Sequence, residues 1–199
     1  MNLTAESPHS RRDGFPRRAR VLFGIVALAG STWIAGCGGS AAQSDAQQAS
    51  AALSAGLLAQ NQGKTQEAIN DYNKVLAHDP KNKYAYYDLG LIDQQAGRND
   101  SAEKRYRSAL TVDPQFEPAL FNLAILRTVP SRSEAENLYR QVITVDAKNA
   151  AAHLNLGFVL KSEGRTDEAS AEFATAVALD AQLAPRVPAP APSPSPSPR

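Results

Sequence analysis

Cys37 is the only cysteine in a chain of 199 residues, set in the stretch IAGCGGS that runs from Ile34 to Ser40. A lone thiol cannot close an internal disulfide. It also lacks partners for a zinc site, because none of the three histidines, His9, His78 and His153, lies near it in sequence. His153 falls at an apolar packing position, and His78 precedes a helix-ending Asp-Pro pair, so both read as structural. The acids follow helix-surface spacing and do not pair for general acid–base work. GCGGS opens no strand–helix unit that could cradle a phosphate, and the Asn99-Asp100-Ser101 glycosylation triplet suits a helix cap. These residues imply no enzyme, no metal site and no cofactor. An enzyme would need a cluster of convergent acids, or a His–acid pair, assembled from distant helices.

The thiol takes its meaning from its neighbours. The formal net charge is +1, yet residues 1–20 hold Arg11, Arg12, Arg17, Arg18 and Arg20 against Glu6 and Asp13. The rest of the chain is nearly neutral, which gives no electrostatic case for nucleic acid. The basic end abuts VLFGIVALAGSTWIAG, Val21 to Gly36, 16 residues or about 24 Å as a helix. A positive region, an apolar run and a small-residue end form a targeting signal, short for a lasting membrane span. The arginines should stay cytoplasmic, with everything after residue 40 across the membrane.

Ile34-Ala35-Gly36-Cys37 resembles the lipobox of bacterial lipoprotein precursors. The resemblance implies that the Cys37 thiol is the lipid attachment site, that residues 1–36 are removed, and that the mature chain sits on the extracytoplasmic side of a bacterial cell envelope. Two acyl chains hold firmly where one does not, at about 0.8 kcal/mol per buried methylene. An uncleaved anchor with an idle cysteine, or plain secretion, stays open. GGSAAQSD, within residues 37–45, reads as a flexible tether.

The body repeats. Gly56, Gly90, Ala124 and Gly157 recur at steps of 34, 34 and 33; Ala68, Ala102, Ala135 and Ala169 at 34, 33 and 34. Each of these alanines is followed four residues later by an aromatic, Tyr72, Tyr106, Tyr139 or Phe173, and each unit closes on an acid, Asp79, Asp113, Asp146 or Asp180. Within a unit, two amphipathic helical patterns flank a turn. Small residues let the paired helices approach, and the aromatic fills the space beside the crossing. One pair cannot bury its apolar faces alone, so the pairs must stack. Thr65, Asn99, Ser133 and Thr166 are the expected N-caps, with Ser133 and Glu136 as a capping box.

These residues resemble the tetratricopeptide (TPR) repeat. In the second unit Tyr86, Leu89, Gly90, Gly97, Ala102, Tyr106, Ala109 and Pro114 fall on its pattern; in the fourth, His153, Leu156, Gly157, Gly164, Ala169, Phe173 and Ala176 do. The resemblance implies an all-α, right-handed superhelical solenoid of four helix-turn-helix repeats, within residues 46–182. The repeats are expected at about 49–82, 83–116, 117–149 and 150–182. The third departs most, for RTVPSRS lacks the interhelical glycine. The first presents Ala52, Ala55, Gly56 and Ala59 where the second presents Tyr86, Leu89, Gly90 and Asp93, and should pack lightly.

In this family one stripe of each leading helix lines a concave groove. Here that stripe holds Leu53 and Leu57; Tyr84, Tyr87, Leu91 and Gln94; Phe121 and Ile125; and Leu154, Phe158 and Lys161, with Asn122 and Asn155 alongside to bond a ligand's backbone. The alternative is that these side chains mainly pack adjacent repeats together. The groove lacks the Lys and Asn pattern resembling the carboxylate clamp of chaperone-binding TPR proteins, so an acidic C-terminal peptide is not the expected partner. A protein or peptide segment of an envelope assembly is. After Asp180, residues 183–199 are rich in proline and read as a disordered spacer, or a ligand for a proline-binding module. They leave the last repeat without an expected lid, so self-association through that end, as a homodimeric spacer, is the competing reading.

Overall fold

A computed structural model describes residues 39–188. Among them every regular element is helical: α1 (Gly39–Asn61), α2 (Thr65–His78), α3 (Lys83–Gln95), α4 (Asn99–Val112), α5 (Glu117–Arg127), α6 (Arg132–Val145), α7 (Ala150–Ser162), α8 (Thr166–Leu179) and a short 3-10 helix, η1 (Ala181–Arg186). Each helix packs on the next in chain order, giving consecutive helix-turn-helix pairs.

The repeating aromatic explains the pairing. Tyr72, Tyr106, Tyr139 and Phe173 are buried in the crossings between paired helices. A methyl at Gly56, Gly90 or Gly157 would stand 2.7, 2.6 or 2.6 Å from the ring of Tyr72, Tyr106 or Phe173, so glycine is what lets each ring lie flat on the opposing helix. The turns inside the first, second and fourth pairs use Gly63, Gly97 and Gly164 at φ of 72°, 73° and 80°, a left-handed conformation that β-carbons disfavour. The third pair has no such residue. Its α5 stops at 11 residues, against 13 for α3 and α7, and Thr128–Ser131 make a glycine-free turn.

The four acids that close the repeats have a shared structural task. Asp79, Asp113, Asp146 and Asp180 accept the backbone N–H two residues on, at 3.1, 3.0, 2.9 and 2.9 Å. Their own N–H groups finish the preceding helix on Val75, Ala109, Val142 and Ala176. Each acid thereby folds one pair into the next.

Three expectations need correction. Thr65, Asn99 and Thr166 are the first helical residues of α2, α4 and α8, and Ser133 lies inside α6; the capping positions are Lys64, Arg98, Arg165 and Ser131, none with a side-chain cap bond. The left-handed glycine fixes the following residue as the cap, so chain geometry overrides side-chain preference. Side-chain caps occur instead at Asn82 and Asn149, which accept from Ala85 N and Ala152 N at 3.0 and 2.9 Å. The segment read as a tether is helical from Gly39 onward, as its alanines and glutamines favour. The last repeat is not left bare: η1 seats Leu183 and Val187 on the terminal core. Ala181-Gln182-Leu183-Ala184-Pro185 copies the pattern Pro114-Gln115-Phe116-Glu117-Pro118, so η1 occupies the place where a further repeat would begin.

The core deepens along the chain. α1 buries Ala49, Gly56 and Ala59, while α7 buries Leu154, Leu156, Val159 and Leu160 besides smaller residues. Buried residues of α1, α2 and α3 form one cluster, and those of α4 to α8 another. Fewer buried methylenes on α1 should leave it the first element to open. Amide exchange at Ala52–Ala59 is expected to be faster than across α3; slower exchange there would contradict this packing account.

Candidate functional site

The leading helices α1, α3, α5 and α7 place residues of like position in rows, because the repeat length carries each helix back to the same face. One row is Leu57, Leu91, Ile125 and Phe158. Three of these large apolar side chains stand open to solvent, Leu57 at 45%, Ile125 at 39% and Phe158 at 37% exposure, with Leu91 half-buried. Tyr84 stands 50% exposed one turn before Tyr87. Ser50, Leu53 and Tyr84 also line a depression of about 510 Å³ between the first two repeats, beside the His78–Asp45 contact at 3.1 Å.

Position five of each leading helix behaves differently. Tyr87 packs against Phe116 and Tyr106 with ring centroids at 5.5 and 5.9 Å, and Phe121 stands edge-on to Tyr139 at 6.0 Å. Both side chains are half-buried; Tyr87 reaches the next repeat through Asn122, and Phe121 packs on Tyr139 within its own repeat. Leu154, at the same position, is fully buried and is no groove residue. It belongs to the terminal core that also receives Leu183 and Val187.

A third row supplies hydrogen-bond partners to the buried tyrosines. Tyr72 Oη donates to Gln60 Oε1, and Tyr106 Oη to Gln94 Oε1, both at 2.6 Å; Thr128 Oγ1 lies 3.4 Å from Tyr139 Oη. Gln94 is therefore an acceptor for a buried phenol more than a free groove residue. Burial raises both phenol pKa values far above the ordinary one, and the hydrogen bond is what makes the neutral group tolerable there. Phe173 has no hydroxyl, and the matching residue is Lys161, exposed and free of ion pairs among the described residues.

The fourth row is Ser54, Asp88, Asn122 and Asn155, beside the apolar row. Asn122 Nδ2 donates to Tyr87 Oη at 3.2 Å and to Pro118 O at 3.0 Å, which leaves its Oδ1 to accept. Asn155 acts on the Tyr139 hydroxyl. Asp88 was not singled out from sequence, although it stands 34 residues before Asn122. It is partly buried, and burial pushes its carboxyl up to about 6. No ion pair or hydrogen bond reaches it among the described residues, whereas Asp93 meets Arg98 at 2.8 Å.

Elsewhere charge is spent on joining repeats. Arg107 and Arg127 share Glu103 and Glu134, and Arg165 joins Glu136 to Glu168. A His–acid pair does exist: His153 Nδ1 lies 2.6 Å from Glu172 Oε2, with Nε2 3.3 Å from Ala147 O. Both ring nitrogens are thus engaged and the ring is buried, so the pair ties α7 to α8 and to the preceding turn. Among the described residues no group of three His, Cys, Asp or Glu side chains gathers to hold a metal. Cys37 lies outside the described residues.

Residues 56–179 match the family described as the cilia and flagella-associated protein 70 middle TPR-like domain. The chain belongs to this TPR-like family. Solved structures agree on the fold. A crystal structure of MamA aligns with TM-score 0.62 at 20% identity, covering 73% of this chain and 86% of that one. MamA residues 41-end from Desulfovibrio magneticus RS-1 align with TM-score 0.58 at 16% identity, covering 73% and 89%. An O-GlcNAc transferase mutant from Thermobaculum terrenum aligns with TM-score 0.52 at 24% identity, covering 58% of this chain and 22% of that one. No curated protein matches in sequence. The TPR-like chain is accordingly an all-α scaffold whose leading helices carry a largely exposed apolar row flanked by a polar one.

Proposed function

We propose that this TPR-like chain is a membrane-tethered, extracytoplasmic scaffold that holds a protein or peptide segment in its groove and so helps assemble a cell-envelope complex. The observation that carries the reading is the row Leu57, Leu91, Ile125 and Phe158, apolar in every repeat and largely open to solvent. Phe158 stands edge-on to Phe173 at 5.1 Å and Leu91 packs against the core, yet Leu57, Ile125 and Phe158 still leave 37–45% of their surface in water, the kind of apolar row that marks an interaction site. Tyr84 adds contact area at low entropic cost. The tether is proposed from IAGC at Ile34–Cys37; among the described residues no helix is long and apolar enough to cross a membrane. Self-association through the last repeat is the weaker reading, because η1 already covers part of that core.

The test changes exposed positions so that the fold survives. Leu57→Glu with Ile125→Glu is expected to reduce capture of the envelope partner at least tenfold, with helicity by circular dichroism unchanged. Cys37→Ser is expected to abolish lipid labelling and release the chain from membranes. Undiminished capture would reject the groove, and persistent labelling would reject the anchor.

A further inference from the structure

Along the groove-facing positions of the four leading helices only two residues are charged, Asp88 on α3 and Lys161 on α7. They have opposite signs and stand two repeats apart. Neither forms an ion pair among the described residues, although ion pairs are plentiful on the rest of the surface. Lys161 is free because Phe173 needs no acceptor where Tyr72 and Tyr106 do. Asp88 is partly buried between groups that cannot neutralise it. α2 presents the Tyr72 phenol and α3 the Tyr87 phenol, both raised above their usual range. Arg105 on α4 turns to Asp93, Glu117 on α5 bonds Asn149, and Asp45 on α1 pairs with His78.

We infer that the groove binds an extended peptide segment of a partner protein in one direction, with a lysine or arginine of the peptide against Asp88, an acidic residue against Lys161, and apolar side chains between them on Leu91, Ile125 and Phe158. This rests on the groove reading above and names its specificity. Charge complementarity identifies the occupant: a desolvated carboxylate is stabilised by a cation that arrives with the ligand. The free Asn122 Oδ1 can accept a peptide N–H between the two charges. Side chains of α3 and α5 touch, as Tyr87 Oη and Asn122 Nδ2 do, so successive leading helices at about 10 Å put the two charges on the order of 20 Å apart. At about 3.3 Å per extended residue, the matching peptide charges are separated by roughly six or seven residues. Reversed order of the two charges would put like beside like.

A random 12-residue peptide library displayed on phage, selected at pH 7.5 against the detergent-purified full chain, tests this. Enriched peptides should carry a basic and an acidic residue at that spacing, in one order. The best of them, synthesised with a fluorescent label, should bind Asp88→Asn at least tenfold more weakly, while Asp88→Lys should recover binding to the peptide whose basic residue is replaced by glutamate. Affinity for the natural chain should fall at least fivefold between pH 7.5 and pH 5, and that for Asp88→Asn should stay level. Enriched peptides without a basic residue, or equal binding by Asp88→Asn, would overturn the charge assignment and leave the groove standing. Binding that survives Ile125→Glu, or no enrichment at all, would overturn the groove as well. Enrichment of sequences like residues 189–199, strengthened when that segment is deleted, would overturn the proposal in favour of the chain's own tail.

Discussion

Tyr106→Ala is expected to destabilise the fold by about 3–5 kcal/mol, the cost typical of emptying a large buried aromatic site. The ring is fully buried, its hydroxyl is bonded to Gln94, and the β-carbon position of Gly90 lies 2.6 Å from it. Gly90→Ala alone should cost about 1–3 kcal/mol, because the added β-carbon would meet the buried Tyr106 ring at 2.6 Å and Arg105 Cβ at 3.2 Å. In the Tyr106→Ala background the same change should become neutral or stabilising. The severe contact is gone, leaving only the Arg105 Cβ approach at 3.2 Å, and alanine is the better helix former by about 1 kcal/mol. A double-mutant cycle by urea denaturation would read this reversal of sign as a coupling well above 1 kcal/mol. Additive costs would mean that the ring–glycine contact does not set the helix crossing. The third repeat carries Ala124 at the glycine's position and a shorter α5.

Asp88→Asn should have the opposite sign, stabilising the fold at pH 7.5 by about 1–2 kcal/mol. The carboxyl rises from an ordinary 3.8 to about 6 on burial, so the folded state favours the protonated form. Stability from this group is therefore greatest below about pH 4 and is lost as pH climbs toward 6. A two-unit shift corresponds to at most about 3 kcal/mol, and partial exposure of the side chain lowers the expectation. The advantage of Asp88→Asn over the natural chain should stay nearly level from pH 7.5 to about 6.5 and then shrink down to about pH 4. Comparing the two chains cancels the opposite trend of Asp113, Glu134, Glu136 and Glu168, whose carboxyls are held low by basic partners. A constant gap, or a loss of stability in Asp88→Asn, would show that the carboxylate is compensated in the fold. A residue that weakens the scaffold while facing the groove is what a binding site retains.

The fold was legible because the same contact recurs in each repeat. Gly90 with Tyr106 and Gly157 with Phe173 state in sequence that two helices touch and what fills the gap. Burial of single positions was less legible. Leu154 shares its helical position with Tyr87 and Phe121, yet it is enclosed, because the terminal core and the η1 turn are features of the chain's end and not of the repeat. Gln94 reads as a groove residue until the phenol it serves is seen twelve residues later. The N-caps were misplaced because a left-handed glycine, and not a hydroxyl, decides where α2, α4 and α8 begin. Asp88 was passed over since its row was recognised only by its asparagines. The likeness of Ala181–Pro185 to Pro114–Pro118 was present in the sequence and would have revealed the short lid.

The central claim is that a partner segment lies along the groove face and nowhere else on the scaffold. Photocrosslinking residues placed singly at Tyr84, Ile125 and Phe158, and at Lys104 and Asn137 on the second helices, test it in the native host. The account predicts one shared adduct from the three groove positions and none from the other two. Adducts from Lys104 or Asn137 alone, or equally from all five, would contradict it.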